Sequence, residues 1–181
     1  NTDGSSAMNE DRELNHALEL TLGYQKLAQS YQIQTLELFD SWVETSLRIY
    51  QETNDAKEHP YVAIVDFMES ATNNEFEIFA DCYRSHGAEC EICEIRELKF
   101  QNGKLYGQGG RPIDMIYRRA VTSDVIKYYE EVADFIAAVK ARAVCLIGDF
   151  TTQIAHNKVL YQILHHPMTQ EFLSEEERAY V

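Results

Sequence analysis

The chain has 181 residues and a formal net charge of −14, from 30 acidic and 16 basic side chains. That length suits one domain with a sizeable core, and 45% hydrophobic residues is too many for a disordered chain. The acidic balance excludes nucleic acid as the main partner, because phosphate binding needs Lys and Arg clustered on one face. It equally disfavours an anionic membrane surface.

Asn1 to Ala7 are small and polar. They show no signal-peptide pattern, and they read as a cloning remnant before a native Met8 or as a flexible tail, so residues 1–8 are set apart. Helical spacing then runs from about Asp11 to Tyr31, through Leu14, Ala17, Leu18 and Leu22. A second helical pattern runs from about Ile33 to Thr53, through Leu36, Phe39, Trp42, Val43, Leu47 and Tyr50. These predict an N-terminal helical pair over residues 9–59, packed as an antiparallel hairpin or laid on a sheet. Asn54 to Pro60 is a polar linker.

From Tyr61 the period changes. Tyr61-Val62-Ala63-Ile64-Val65 is a buried strand, Asn73 to His86 an amphipathic helix, and Ala88 to Glu94 a second strand. Gly87 stands where a helix C-cap belongs. Asn102-Gly103, between Leu98 and Tyr106, signals a hairpin that Gly107, Gly109 and Gly110 close. Pro112 to Tyr117 is a third core strand, Ser123 to Ala141 one long helix, and Ala143 to Ile147 a fourth strand. The sequence therefore predicts an α/β fold over residues 60–150. It is a Rossmann-like, mostly parallel sheet of about four core strands with a β-hairpin excursion, preceded by the helical pair. Asn157 to Leu164 is helical, His165-His166-Pro167 breaks it, and Ser174-Glu175-Glu176-Glu177 is a capping box that starts another helix.

Cys90-Glu91-Ile92-Cys93 has the spacing of a redox or zinc pair. On a strand, residues three apart point to opposite faces, so these two read as buried structural thiols. No run of about 18 apolar residues exists, so no membrane-spanning helix is expected. Without a secretory signal, reduced thiols in the cytoplasm are the expectation. The six histidines are scattered, and the adjacent His165 and His166 diverge on a helix, so no metal site is expected.

Ligands of an open parallel sheet bind beyond the carboxyl ends of its strands. Those ends carry Asp66, Tyr117-Arg118-Arg119 and Gly148-Asp149. Two arginines directly after a buried strand suit a bidentate grip on a carboxylate or phosphate; the alternative is that one pairs with an acid of the fold. Tyr117, Arg118, Arg119 and Asp149 are the expected substrate-binding residues. No G-x-G-x-x-G follows the first strand, so a dinucleotide is not expected.

The hairpin at Leu98 to Tyr106, followed by Asp114-Met115-Ile116-Tyr117-Arg118-Arg119, resembles the pre-ATP-grasp region of ATP-grasp ligases. It is most similar to the circularly permuted, glutathionylspermidine synthase-like group. Ile154-Ala155-His156-Asn157-Lys158-Val159-Leu160 resembles the element that leads toward the ATP-binding lobes there. The likeness covers about Tyr61 to Val181. It implies an ATP-dependent carboxylate–amine ligase that forms an amide through an acyl phosphate, with small-molecule carboxylate and amine substrates. ATP and Mg²⁺ would bind to lobes outside this chain, so the chain alone is not catalytically competent. Residues 151–181 would begin the connection to those lobes, with Lys158 near the nucleotide. Arg118 and Arg119 would face substrate or phosphate, and Asp114 reads as structural. The alternative is a non-catalytic α/β module that binds a small anion and is complete as it stands.

Overall fold

A computed structural model describes residues 8–70 and 73–181, so the expectations for residues 1–7 lie outside the described residues. Three helices come first: α1 (Met8–Glu19), α2 (Leu22–Ala28) and α3 (Phe39–Gln51). Next are β1 (Tyr61–Asp66), α4 (Asn73–Ser85), β2 (Glu89–Glu94), β3 (Lys99–Gln101), β4 (Lys104–Tyr106) and β5 (Met115–Arg118). Then follow α5 (Thr122–Lys127), α6 (Ala133–Lys140) and β6 (Cys145–Ile147). Short helices end the chain: α7 (Gln153–His156), α8 (Val159–Leu164), α9 (Pro167–Gln170) and α10 (Glu175–Tyr180).

The fold class matches the expectation. Four parallel strands lie in the order β2-β1-β5-β6, and β3-β4 form a separate antiparallel hairpin. The order runs outward in both directions from the β1/β5 boundary. A single hand of crossover then puts the two connecting segments on opposite faces. The core agrees. Phe76, Phe79, Ala80 and Tyr83 of α4 join Phe39, Val43 and Tyr50 of α3 on one face. Val125 of α5 and Phe135 and Ala138 of α6 join Leu98 and Leu105 of the hairpin segment on the other. Central β1 and β5 are buried along nearly their whole length, which is why both read as continuous apolar runs. Edge strand β2 keeps Glu89 in water, and charge there discourages pairing with another chain.

Local signals decide several boundaries. Asn102 (φ 51°) and Gly103 (φ 74°) both take the left-handed region that a two-residue type I′ turn demands. Gly87 does the same (φ 84°) just past α4. The Ser174 hydroxyl accepts the Glu177 N–H at 3.2 Å, and the Glu177 carboxylate accepts the Ser174 N–H at 2.8 Å, completing the capping box. Cys90 and Cys93 belong to the cores on opposite faces of the sheet, and all four cysteines are free.

The structure departs from expectation elsewhere. The first helix is split, because Thr21 is extended and its hydroxyl accepts the Tyr24 N–H at 3.2 Å, starting α2 afresh. Leu14, Leu18, Leu22 and Leu27 remain exposed, so the first predicted stripe is not a core stripe. Residues 33–38 are not helical; α3 begins where the Glu37 carboxylate accepts the N–H groups of Phe39 (3.1 Å) and Asp40 (2.6 Å). α3 lies against the sheet, not in a helical hairpin: Phe39, Val43 and Tyr50 share a core with Val62, Ile64 and Tyr117, and Trp42 meets the Tyr117 ring at 5.4 Å. The long helix from Ser123 is also two. Tyr128 leaves helical angles to lay its ring against Phe67 at 5.3 Å, and Arg96 reaches Glu131 at 2.8 Å across the break. Pro112 pairs with Tyr106 in an isolated antiparallel bridge, so β5 starts only at Met115.

These packing differences separate two substitutions. Phe79→Ala opens the α3/α4 core and should cost about 3–5 kcal/mol in urea unfolding. Leu22→Ala, on an exposed stripe, should stay within about 0.5 kcal/mol of wild type.

Candidate functional site

The boundary between β1 and β5 is the topological switch point of the sheet, and its carboxyl end is the place where such folds take ligands. The chain positions this edge from both ends of β5. At the amino end, the Asp114 carboxylate accepts the Tyr61 N–H (2.9 Å) and the Lys57 ammonium (2.6 Å), which ties the start of β1 to the start of β5. At the carboxyl end, the N–H groups of Arg119 and Ala120 both donate to the Val65 carbonyl, at 2.8 and 3.2 Å.

Alternation along β5 sends the two arginines to opposite faces. Arg119 turns to the α3/α4 face and donates to Glu75 at 2.6 Å and to the Tyr117 hydroxyl at 3.2 Å. Its guanidinium lies 5.0 Å from the Phe76 ring centre and 5.6 Å from that of Tyr117. Both charges are almost fully enclosed, the side chains being 4% and 1% exposed. The second Glu75 oxygen accepts the Asn9 N–H at 3.1 Å, so α1 is drawn to the same point.

Arg118 turns to the other face. Its Nε donates to the Gly148 carbonyl at 2.6 Å, and its Nη1 donates to the Ala120 carbonyl and, at 3.3 Å, to the Thr122 hydroxyl. The Phe150 ring stacks beneath it at 4.7 Å. Gly148 accepts this approach with φ 81°, and an added Cβ would stand 3.4 Å from the Arg118 carbonyl oxygen.

The expected substrate-binding residues are thus brought to one edge, but Tyr117, Arg118 and Arg119 are buried and only Asp149 is partly open to solvent. Tyr117 and Arg118 are each 1% exposed, and both guanidiniums are engaged by groups of the protein. For Arg119 this is the alternative outcome, pairing with an acid of the fold. Asp149 caps the turn after β6: its carboxylate accepts the Thr151 hydroxyl (2.6 Å) and N–H (2.8 Å), and these bonds hold its pKa below the ordinary range. Lys158 is exposed. It lies in the break between α7 and α8, not within one helix: Asn157 ends α7 in an extended conformation, and its side chain accepts the Val159 N–H at 3.0 Å.

Asp66 is the group that the site-residue expectation omits. It ends β1 at the switch point, and burial lifts its pKa from about 3.8 to about 6. The Phe67 N–H, which donates to it at 2.8 Å, and the nearby Arg119 charge pull the other way, and Asp124 and Glu94 add to the rise. A carboxyl poised near neutrality at a strand end suits proton transfer or a switchable contact to a cationic group. Its signal was in the sequence, as the acid directly after an apolar β-run.

A second cluster lies on the flank of the sheet. Asp40, Cys82 and His86 form the one group among the described residues whose donor atoms are close enough to hold a cation. The sequence shows its halves only separately: Cys82 and His86 are four apart, and so are Asp40 and Glu44, but no local pattern joins the two pairs.

No protein-family model matches the chain, and no curated protein matches it. Among the described residues, no helix is long and apolar enough to cross a membrane.

Asp66 yields a test. Its folded pKa is raised, so its stabilising contribution is complete below about pH 4 and is lost as pH rises through about 6. Asp66→Asn should therefore be more stable than wild type by about 2 kcal/mol at pH 7, with the difference growing between about pH 4 and 6. Urea unfolding of both proteins across that range checks this. A difference that does not change with pH would contradict it.

Proposed function

We propose that this chain is the substrate-side, pre-ATP-grasp-like domain of a cytoplasmic ATP-dependent carboxylate–amine ligase related to the glutathionylspermidine synthase-like group. The observation that carries this reading is the surface of residues 150–181. Ile154, Tyr161, Met168, Phe172 and Tyr180 are all more than 60% exposed there. Scattered apolar residues are ordinary on a surface, but a run of short helices with this many large ones outside the core suits a connection packed against further lobes. A module complete as it stands would be expected to bury them. An apolar hollow of about 320 Å³, lined by Val125, Ile136, Val139 and Phe150, adds to the unfilled surface on this side.

The architecture supports the same reading. The hairpin leads into β5, which carries Tyr117 and Arg118 between the flanking Asp114 and Arg119, and that strand borders the switch point. In the proposed reaction the γ-phosphoryl group of ATP passes to a carboxylate, giving an acyl phosphate and ADP. The amine nitrogen then attacks the acyl carbon, the C–O bond to phosphate breaks, and phosphate leaves with its electron pair as the amide forms. Arg118 and Arg119 would contribute by fixing the strand ends and the Gly148–Asp149 turn, which sets where the substrate sits. Asp66 would be the edge group able to exchange a proton with the ammonium form of the amine. ATP and Mg²⁺ would be supplied with the further lobes, and Lys158 would meet a nucleotide phosphate. The free thiols of all four cysteines agree with a reducing compartment.

The test uses the native full-length protein with ATP, Mg²⁺ and panels of carboxylates and amines. ADP release that requires one acid and one amine together is the expected result. Exposed Lys158 can be changed without disturbing the core, and Lys158→Ala should raise the KM for ATP about tenfold, the loss of one charge-assisted hydrogen bond. No acid- and amine-dependent ADP release, or an unchanged KM in the variant, would contradict the reading.

A further inference from the structure

α3 and α4 lie side by side on one face of the sheet, and each presents a pair of potential ligands at i and i+4. Asp40 and Glu44 stand on α3; Cys82 stands near the end of α4, and His86 follows directly on that end, its N–H bonded to the Cys82 carbonyl at 3.1 Å. Residues four apart project from the same helical face, so the two pairs meet across the helix interface. The Cys82 thiol donates to the Asp40 carboxylate at 3.0 Å. His86 Nδ1 lies 3.8 Å from the Cys82 sulfur and 3.9 Å from the same Asp40 oxygen. On the other side of the ring, Nε2 lies 3.5 Å from Glu44.

We propose that Asp40, Cys82 and His86 form a binding site for a divalent transition metal of the zinc class, which clips α3 to α4. Sulfur, imidazole nitrogen and carboxylate oxygen are the donor types that zinc takes, with bonds of about 2.0–2.3 Å. Around a tetrahedral ion such donors stand about 3.3–3.6 Å apart. The observed triangle of 3.0, 3.8 and 3.9 Å reaches that spacing by side-chain adjustments of about half an ångström. Nδ1 now sits 2.9 Å from the Cys82 carbonyl, and on binding it exchanges that contact for the ion. Nε2–H then donates to Glu44, the carboxylate–histidine–metal arrangement that fixes the tautomer and orients the ring. The thiol proton leaves to solvent as the metal–sulfur bond forms. Cys82 forms the buried floor, whereas Asp40 and Glu44 are more than half exposed, so an ion can enter from solvent and the fourth position is open to water.

The experiment titrates the chelator-treated protein with Co²⁺ and follows its absorption. Expected are one Co²⁺ per chain, a thiolate-to-cobalt charge-transfer band and the visible bands of a tetrahedral ion. Cys82→Ser should abolish the charge-transfer band, which separates this thiol from Cys90, Cys93 and Cys145. Asp40→Asn, an exposed change that leaves the core intact, should weaken binding at least about tenfold. Zn²⁺ should compete with Co²⁺ and raise the melting temperature of wild type but not of Cys82→Ser. No charge-transfer band in wild type, a band that survives Cys82→Ser, or full affinity in Asp40→Asn would overturn the proposal.

Discussion

The buried ion pair between Arg119 and Glu75 is the constraint on which the rest of the site depends. Taking two charges out of water costs several kcal/mol for each ion, and only close geometry and further hydrogen bonds offset that cost. Here the guanidinium meets one carboxylate oxygen at 2.6 Å and the Tyr117 hydroxyl at 3.2 Å, and it lies against Phe76. The other carboxylate oxygen takes the Asn9 N–H. The end of β5, the first turns of α4 and the start of α1 are therefore fixed relative to one another at a single point. A register shift of β5 by one residue would place Arg119 on the opposite face and leave Glu75 buried without its cation.

That anchoring shapes the carboxyl edge of the sheet. Arg118 holds the Gly148 turn on one face while Arg119 holds α4 on the other, and Asp66 ends β1 close enough to feel the Arg119 charge. The arginines serve the edge from inside, and the group left to titrate near neutrality is a carboxyl. The proposed metal site lies at the opposite end of the same helix. Glu75 fixes the amino-terminal turns of α4, and Cys82 and His86 place its last turns against α3. One helix would then be pinned to three neighbouring elements: α1, β5 and α3.

Much of the fold was legible because its signals are local. The apolar β-run from Tyr61, the Asn102-Gly103 turn, Gly87 and the Ser174 box each act within a few residues. The helix breaks were less legible. Thr21 interrupts a continuous apolar stripe with one hydroxyl, and Tyr128 leaves its helix for a contact with Phe67, far away in sequence. The candidate site was legible as a location and not as an arrangement. Arg118 and Arg119 were identified at the strand end, but the Glu75 partner lies 44 residues earlier, and no local pattern announces such a pairing. The Asp40, Cys82 and His86 cluster was missed for a related reason: its donors come from two helices, and neither helix alone carries a full ligand set.

The most direct test of this account is a double-mutant cycle across the ion pair, built from Glu75→Gln, Arg119→Met and the double variant, read by urea unfolding. Each single change strands a buried partner and should cost about 3–5 kcal/mol, whereas the double change should cost well below the sum of the two. Additive costs, or single variants close to wild type, would contradict the claim that this pair organises the edge.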